Sequence, residues 1–311
     1  MKLAAWSSLC VSFLQQANAT SYHFDSAAVK NGKGTLSSPF KNLDILRNLS
    51  LDPGDNILLK RGSSFPQALE LSGSGSFSRP ITVEAYGHSN LPKPHIQARP
   101  EELSSLLLSG TSHVVVQDLD ITNTGDNTTA RRGVYVYAKD AGTVRDITLR
   151  RLHIHKVEGY MPSTSNNSYP VGKYANASGG IVLEAAGNQT ATSFQDVLIE
   201  DNIIESVGRQ GIYTWSNWCQ RSALAQFWFT LCTQPWAPST GLIIRQNQLS
   251  QIGGDGIVIT GQVAADVSNN RLTGFHVNAG GNNAGVWTAN SDRSHFHHNV
   301  VSGGKTTNDG E

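Results

Sequence analysis

The chain has 311 residues, with 24 Lys and Arg against 24 Asp and Glu, so its formal net charge at neutral pH is zero. That balance argues against a nucleic-acid partner, which needs clustered Lys and Arg to neutralise phosphates. It leaves the charge of any substrate open, because a local basic patch still grips an acidic polymer.

Met1 to Ala19 combines one early Lys, an apolar stretch from Leu9 to Leu14 and the small residues Ala17-Asn18-Ala19. This pattern predicts a secretory signal peptide over 1–19, cut after Ala19. No later segment is long and apolar enough to span a bilayer, so the expectation is a secreted, extracellular monomer without a membrane partner. Acceptor sequons begin at Asn48, Asn127, Asn166, Asn176 and Asn188, in keeping with a glycosylated exported protein. Cys10 leaves with the leader. In an oxidising compartment Cys219 and Cys232 are expected to pair, constraining the unfolded chain by roughly 3 kcal/mol on the entropic view; two buried thiols are the alternative.

Residues 20–100 read as an entrance. Ser38-Pro39 followed by Leu43, Leu46 and Leu49 predicts a short capped amphipathic helix that plugs the first open end of the fold. Pro53-Gly54-Asp55 is a turn, Ile57-Leu58-Leu59 a strand, and Gly73 to Ser76 a loop.

From residue 101 the chain repeats. Gly133-Val134-Tyr135, Gly180-Ile181-Val182, Gly211-Ile212-Tyr213, Gly256-Ile257-Val258 and Gly285-Val286-Trp287 each open a strand-like phrase on Gly and a β-branched residue. A second phrase is centred on Asn202, Asn247, Asn270 and Asn299, with Leu119 and Leu152 in that place in earlier copies. Apolar residues fall five and three positions before this column and two after it, as in Leu242, Ile244 and Leu249. Spacing of two means strand, with those side chains on one face. The Asn is expected at a corner in left-handed conformation, stacked as a ladder. No copy buries its own apolar side, so copies must stack. The architecture expected is all-β, a right-handed parallel β-helix forming one domain over 20–311. Two insertions, Tyr160 to Ser178 and Ser216 to Thr240, are long enough to wall a binding groove. The chain stops at Asp309-Gly310-Glu311, where another Gly-led strand is due, which predicts later turns beyond this C-terminus.

Within each Gly-led strand the first and third residues after Gly should point inward, and the second and fourth outward. The outward set holds Tyr135, Tyr137, Glu184, Tyr213, Trp215 and Trp287. Rings on a wet face suit the C–H faces of sugars; alternatively, loops fold over them and make a satellite core. One residue before the Gly, Asp255 and Asp309 would lie two turns apart, roughly 9–10 Å. That separation suits an inverting glycosidase, in which one carboxyl protonates the leaving oxygen and the other activates water. Glu184 is a third candidate acid. Asp-Gly is also a common turn pair, so either Asp could merely support its corner.

A lyase would instead use a base, for which Arg209 is best placed, and calcium held by Asp118 and Asp120, which alternate on one strand. Otherwise no cofactor is expected. Asn290 and Asp292 are hydroxyl contacts or turn residues. His295, His297 and His298 cluster, and His295 and His297 alternate outward around Phe296 as a zinc pair without a third ligand in view, so no metal site is expected there.

Gly253-Gly254-Asp255-Gly256-Ile257-Val258 and Ala284-Gly285-Val286-Trp287 with Asn290-Ser291-Asp292 resemble secreted right-handed β-helix proteins of the pectate-lyase-like superfamily. The segment from Pro53-Gly54-Asp55 through Pro80-Ile81 to Ala85-Tyr86-Gly87 is similar to their N-terminal region. The resemblance implies a carbohydrate-active protein with a polysaccharide partner, either a glycoside hydrolase or a polysaccharide lyase, and does not choose between them. A non-catalytic glycan-binding or cell-surface protein is the remaining alternative. The polygalacturonase signatures Asn-Thr-Asp and Gly-His-Gly are absent.

Overall fold

The computed structural model describes residues 18–126, 129–159, 178–224, 232–278 and 283–305. The leader up to residue 17, Asn127, Asn166, Asn176 and Asp309 lie outside them. Three parallel sheets run the length of the molecule, with eleven, eight and seven strands. Each turn visits them in the same order. Val114–Gln117 lies in the first sheet, Asp120–Asn123 in the second and Arg132–Lys139 in the third, and Thr143–Arg150 then returns to the first. This is the right-handed parallel β-helix expected from the repeat.

Its core is the stack of inward residues. Ile147, Ile154, Val134 and Ile181 are each 0% exposed, and every later turn adds its own set, such as Ile244, Leu249, Ile257 and Ile259. The amphipathic segment forms a six-residue 3-10 helix, Leu43–Asn48, with no side-chain cap at Asn42 and extended backbone at Leu49. Its buried Leu43 and Leu46 pack on Leu69–Leu71, the terminal strand of the third sheet, so it covers the sheet edge it was expected to plug.

The Gly that opens each third-sheet strand has a steric cause. A Cβ on Gly256 would sit 2.3 Å from the Gly285 carbonyl oxygen and 2.3 Å from Leu272 Cδ2; on Gly211 it would sit 2.5 Å from both Gly256 O and Leu249 Cδ2. Consecutive glycines therefore let adjacent turns and the second-sheet apolar residue meet at one corner. Gly256→Ala should lower stability by about 2–3 kcal/mol, the cost of overpacking a rigid site. Urea denaturation would measure it; an unchanged midpoint would mean the corner relaxes freely.

The Asn column forms the expected ladder. Asn202 Nδ2 donates to Asn247 Oδ1 at 2.9 Å, Asn247 Nδ2 to Asn270 Oδ1 at 2.9 Å, and Asn270 Nδ2 to Asn299 Oδ1 at 3.0 Å. The left-handed residue of the corner is the one before it: Asp118, Arg151, Asp201, Gln246, Asn269 and His298 all have φ between 51° and 59°. Asn is placed there by its amide, which satisfies backbone as well as its neighbours, and not by tolerance of that conformation. Asn202 Nδ2 reaches Leu149 O at 3.1 Å, and Asn299 Nδ2 reaches Val267 O at 2.7 Å.

Cys219 and Cys232 are joined in a disulfide, which settles their state. Among the described residues no helix is long and apolar enough to cross a membrane. The sequon residues Asn48 and Asn188 are exposed.

Candidate active site

Parallel register carries the outward residues of the third sheet into files. Leu107, Tyr135, Val182, Tyr213, Val258 and Trp287 are register partners in succession, and Tyr137, Glu184 and Trp215 form the adjacent file. The orientation matches the sequence pattern, but the environment of two rings differs. Tyr213 is 1% exposed and Trp215 9%; with Val182 and Val258 they form a second apolar cluster outside the coil, flanked by Tyr135 and Trp287. Bulky apolar side chains one strand apart on the same face pack on each other and shed water.

The half-buried rings at either side carry the polar chemistry. Tyr135 donates its hydroxyl to Glu184 Oε2 at 2.7 Å, and the Arg132 guanidinium lies 4.1 Å over the Tyr135 ring centre. Burial first, and then the Glu184 carboxylate beside it, pushes the Tyr135 phenol up. Tyr137 stacks on Tyr135 with ring centres 5.3 Å apart. Arg132 is a contribution the sequence reading missed. Its signal was its place in the residue column before the glycines, three positions ahead of a Tyr.

That corner column is buried and polar: Arg132 is 6% exposed, Gln210 1%, Asp255 0% and the adjacent Arg209 2%. Asp255 does not stand open in a groove. It is enclosed at the corner, where Oδ1 accepts the Ala284 amide at 2.9 Å and the Trp287 indole N–H at 2.8 Å. The indole N–H and a backbone amide converge on one oxygen because Trp287 pairs in register with Val258, which sets the start of its strand beside the Asp255 corner.

Glu184 and Asp255 are not a close pair. Two strand spacings and five residues along the strand separate them, roughly 10 Å by 16 Å. Those distances exceed the carboxylate separations that glycosidases use. Asn290 and Asp292 both serve the disulfide loop. Asn290 Nδ2 donates to Cys219 O at 2.8 Å, and Asp292 holds Arg221 through two bonds of 3.0 and 3.1 Å. Asp118 and Asp120 do not alternate on one strand. Asp118 is the left-handed corner residue, bound to Arg151 at 2.7 Å, and Asp120 begins the next strand. His297 contacts Asp266 at 2.9 Å and His298 at 2.7 Å.

No family model matches the chain. Lacto-N-biosidase of Bifidobacterium longum subsp. longum is 25% identical over 252 residues, 63% of this chain and 16% of that protein. Two crystal structures of the GH136 lacto-N-biosidase from Eubacterium ramulus superpose with TM-scores of 0.72 and 0.70, at 23% and 22% identity. They share the parallel β-helix. The superposition covers 90% of this chain and 55% of each solved one, so the β-helix described here spans about half their length.

Proposed function

We propose that this chain belongs to a secreted glycoside hydrolase acting on a glycan, with its chemistry at the third-sheet corner where Asp255 meets Trp287. The observation that carries the reading is a carboxyl enclosed at the foot of an aromatic file, held by an indole N–H and a backbone amide. An indole face offers the apolar surface that sugar C–H groups stack against, and a buried carboxyl beside it is placed for proton transfer to a glycosidic oxygen once the indole swings clear. The alignment with a lacto-N-biosidase supports this reaction class and points to lacto-N-biosides as the first substrates to test. A second carboxylate completes the mechanism; Asp309 is the candidate from the same corner column.

The test is incubation of the full reading frame with an aryl lacto-N-bioside. Release of the free disaccharide is the expected result. An unsaturated uronate product from acidic polysaccharides would select the lyase instead, with Arg209 as its base, and saturable binding without turnover would make the protein a glycan-binding module.

A further inference from the structure

The outward face of the second sheet, on a different side of the coil from the aromatic file, carries a cluster that the hydrolase reading does not use. Asp120 and His153 are register partners on adjacent strands, and His155 is two residues on along the same face. His153 Nδ1 lies 2.8 Å from Asp120 Oδ2, and His155 Nε2 lies 3.2 Å from Asp120 Oδ1. One ligand atom from each residue falls within 4.8 Å of the other two. The two imidazoles stack with ring centres 4.3 Å apart, inclined by 15°. Register shifts between Ile154 and Val157, where Lys156 has φ 49°, so the strand bulges beside His155.

We propose that Asp120, His153 and His155 form a Zn2+ site with three protein ligands and a fourth position open to water. Zinc holds imidazole nitrogen and carboxylate oxygen at about 2.0–2.2 Å, so tetrahedral ligand atoms stand roughly 3.3 Å apart. The two contacts to Asp120, 2.8 and 3.2 Å, fall just short of that edge, and because the imidazoles stack nearly parallel one ring must turn to aim its nitrogen at a shared ion, which displaces the proton between His153 and Asp120 to solvent. The next strand supplies the outer support. Glu205 Oε1 lies 3.0 Å from His153 Nε2, which fixes that nitrogen as the donor and directs the Nδ1 lone pair to the ion. Two imidazoles and one carboxylate suit zinc and not calcium, which takes six or more oxygens. All three ligands are half-buried and sit on sheet strands, not on loops, so the backbone that carries the site is fixed.

Titration calorimetry of the full chain with ZnCl2 and with CaCl2, on the wild type, His155→Gln, Asp120→Asn and Glu205→Gln, tests this. Zinc should bind the wild type at one site that His155→Gln and Asp120→Asn each weaken at least about tenfold. Glu205→Gln should weaken it by about 10–100-fold, the usual effect of losing a supporting carboxylate. Calcium should not compete. Cobalt should give the visible absorption of a four-coordinate site in the wild type alone. Equal zinc affinity in the wild type and in either ligand variant would overturn the site, as would absence of zinc binding to the folded wild type. His295→Gln, on the first sheet, should leave the wild-type affinity unchanged; if it removes the binding, the zinc belongs to that cluster.

Discussion

Asp255→Asn is expected to lower turnover of an aryl lacto-N-bioside by about 10²–10⁴-fold, the range for loss of a general acid or base, while the protein remains folded. The structure makes this substitution unusually informative. Oδ1 of Asp255 accepts the Ala284 amide and the Trp287 indole N–H, and an asparagine oxygen accepts both in the same place. The amide therefore keeps these two bonds and removes the carboxyl group. A carboxyl whose single task is to orient Trp287 would leave kcat within about twofold in the Asn variant. Trp287→Phe supplies the complementary measurement: it keeps an aromatic ring and removes the indole donor, at a cost of about 1–3 kcal/mol in stability. Loss of activity in Asp255→Asn with an unchanged unfolding midpoint assigns the carboxyl to the chemistry. Full activity in that variant removes it.

How far the sequence showed these features depends on whether a feature is periodic. Inward residues such as Ile181, Leu183, Ile257 and Ile259 follow from alternation because a strand buries every second side chain. The Gly-led phrase and the Asn column are equally legible, since each repeats once per turn. What the column did not disclose was which residue bends: φ near 55° belongs to Asp201 and Gln246, one place earlier, because their side chains point outward and pay no packing cost there. The environment of the outward rings was hidden as well. Tyr213 and Trp215 face away from the coil as alternation requires, yet they are buried in a cluster with Val182 and Val258 that only register brings together. The Asp120, His153 and His155 cluster escaped for the same reason. A His-x-His pair is visible in one strand, but its carboxylate partner lies 33 positions upstream, and only the pitch of the coil places it alongside.

Asn247→Ala is expected to cost about 3–5 kcal/mol, because the side chain serves five groups at a site 1% exposed, Arg245 O at 3.0 Å among them. Asn247 Oδ1 accepts the Asn202 amide at 3.1 Å and Asn202 Nδ2 at 2.9 Å. Its Nδ2 donates to Ile199 O at 3.0 Å and to Asn270 Oδ1 at 2.9 Å. Truncation strips partners from two donors and three acceptors, all but the Arg245 carbonyl in fully buried bonds, each worth about 1–3 kcal/mol when fully stranded, with local relaxation returning part of the total. The ladder also predicts strong coupling. Asn270→Ala alone would strand Asn247 in the same manner, so the doubly substituted protein should lose well under the sum of the two single losses: their mutual bond is counted once, and neither amide is left facing a gap. Leu119 and Leu152 show that apolar residues also pack fully in this column, at 0% and 1% exposure, Leu152 with Leu119 on one side and Asn202 on the other. Urea denaturation of the two single variants and the double variant measures the term. Additivity within about 0.5 kcal/mol would mean that each amide is held by its own backbone contacts. The Asn stack would then be a consequence of the winding and would contribute nothing to holding successive turns in register.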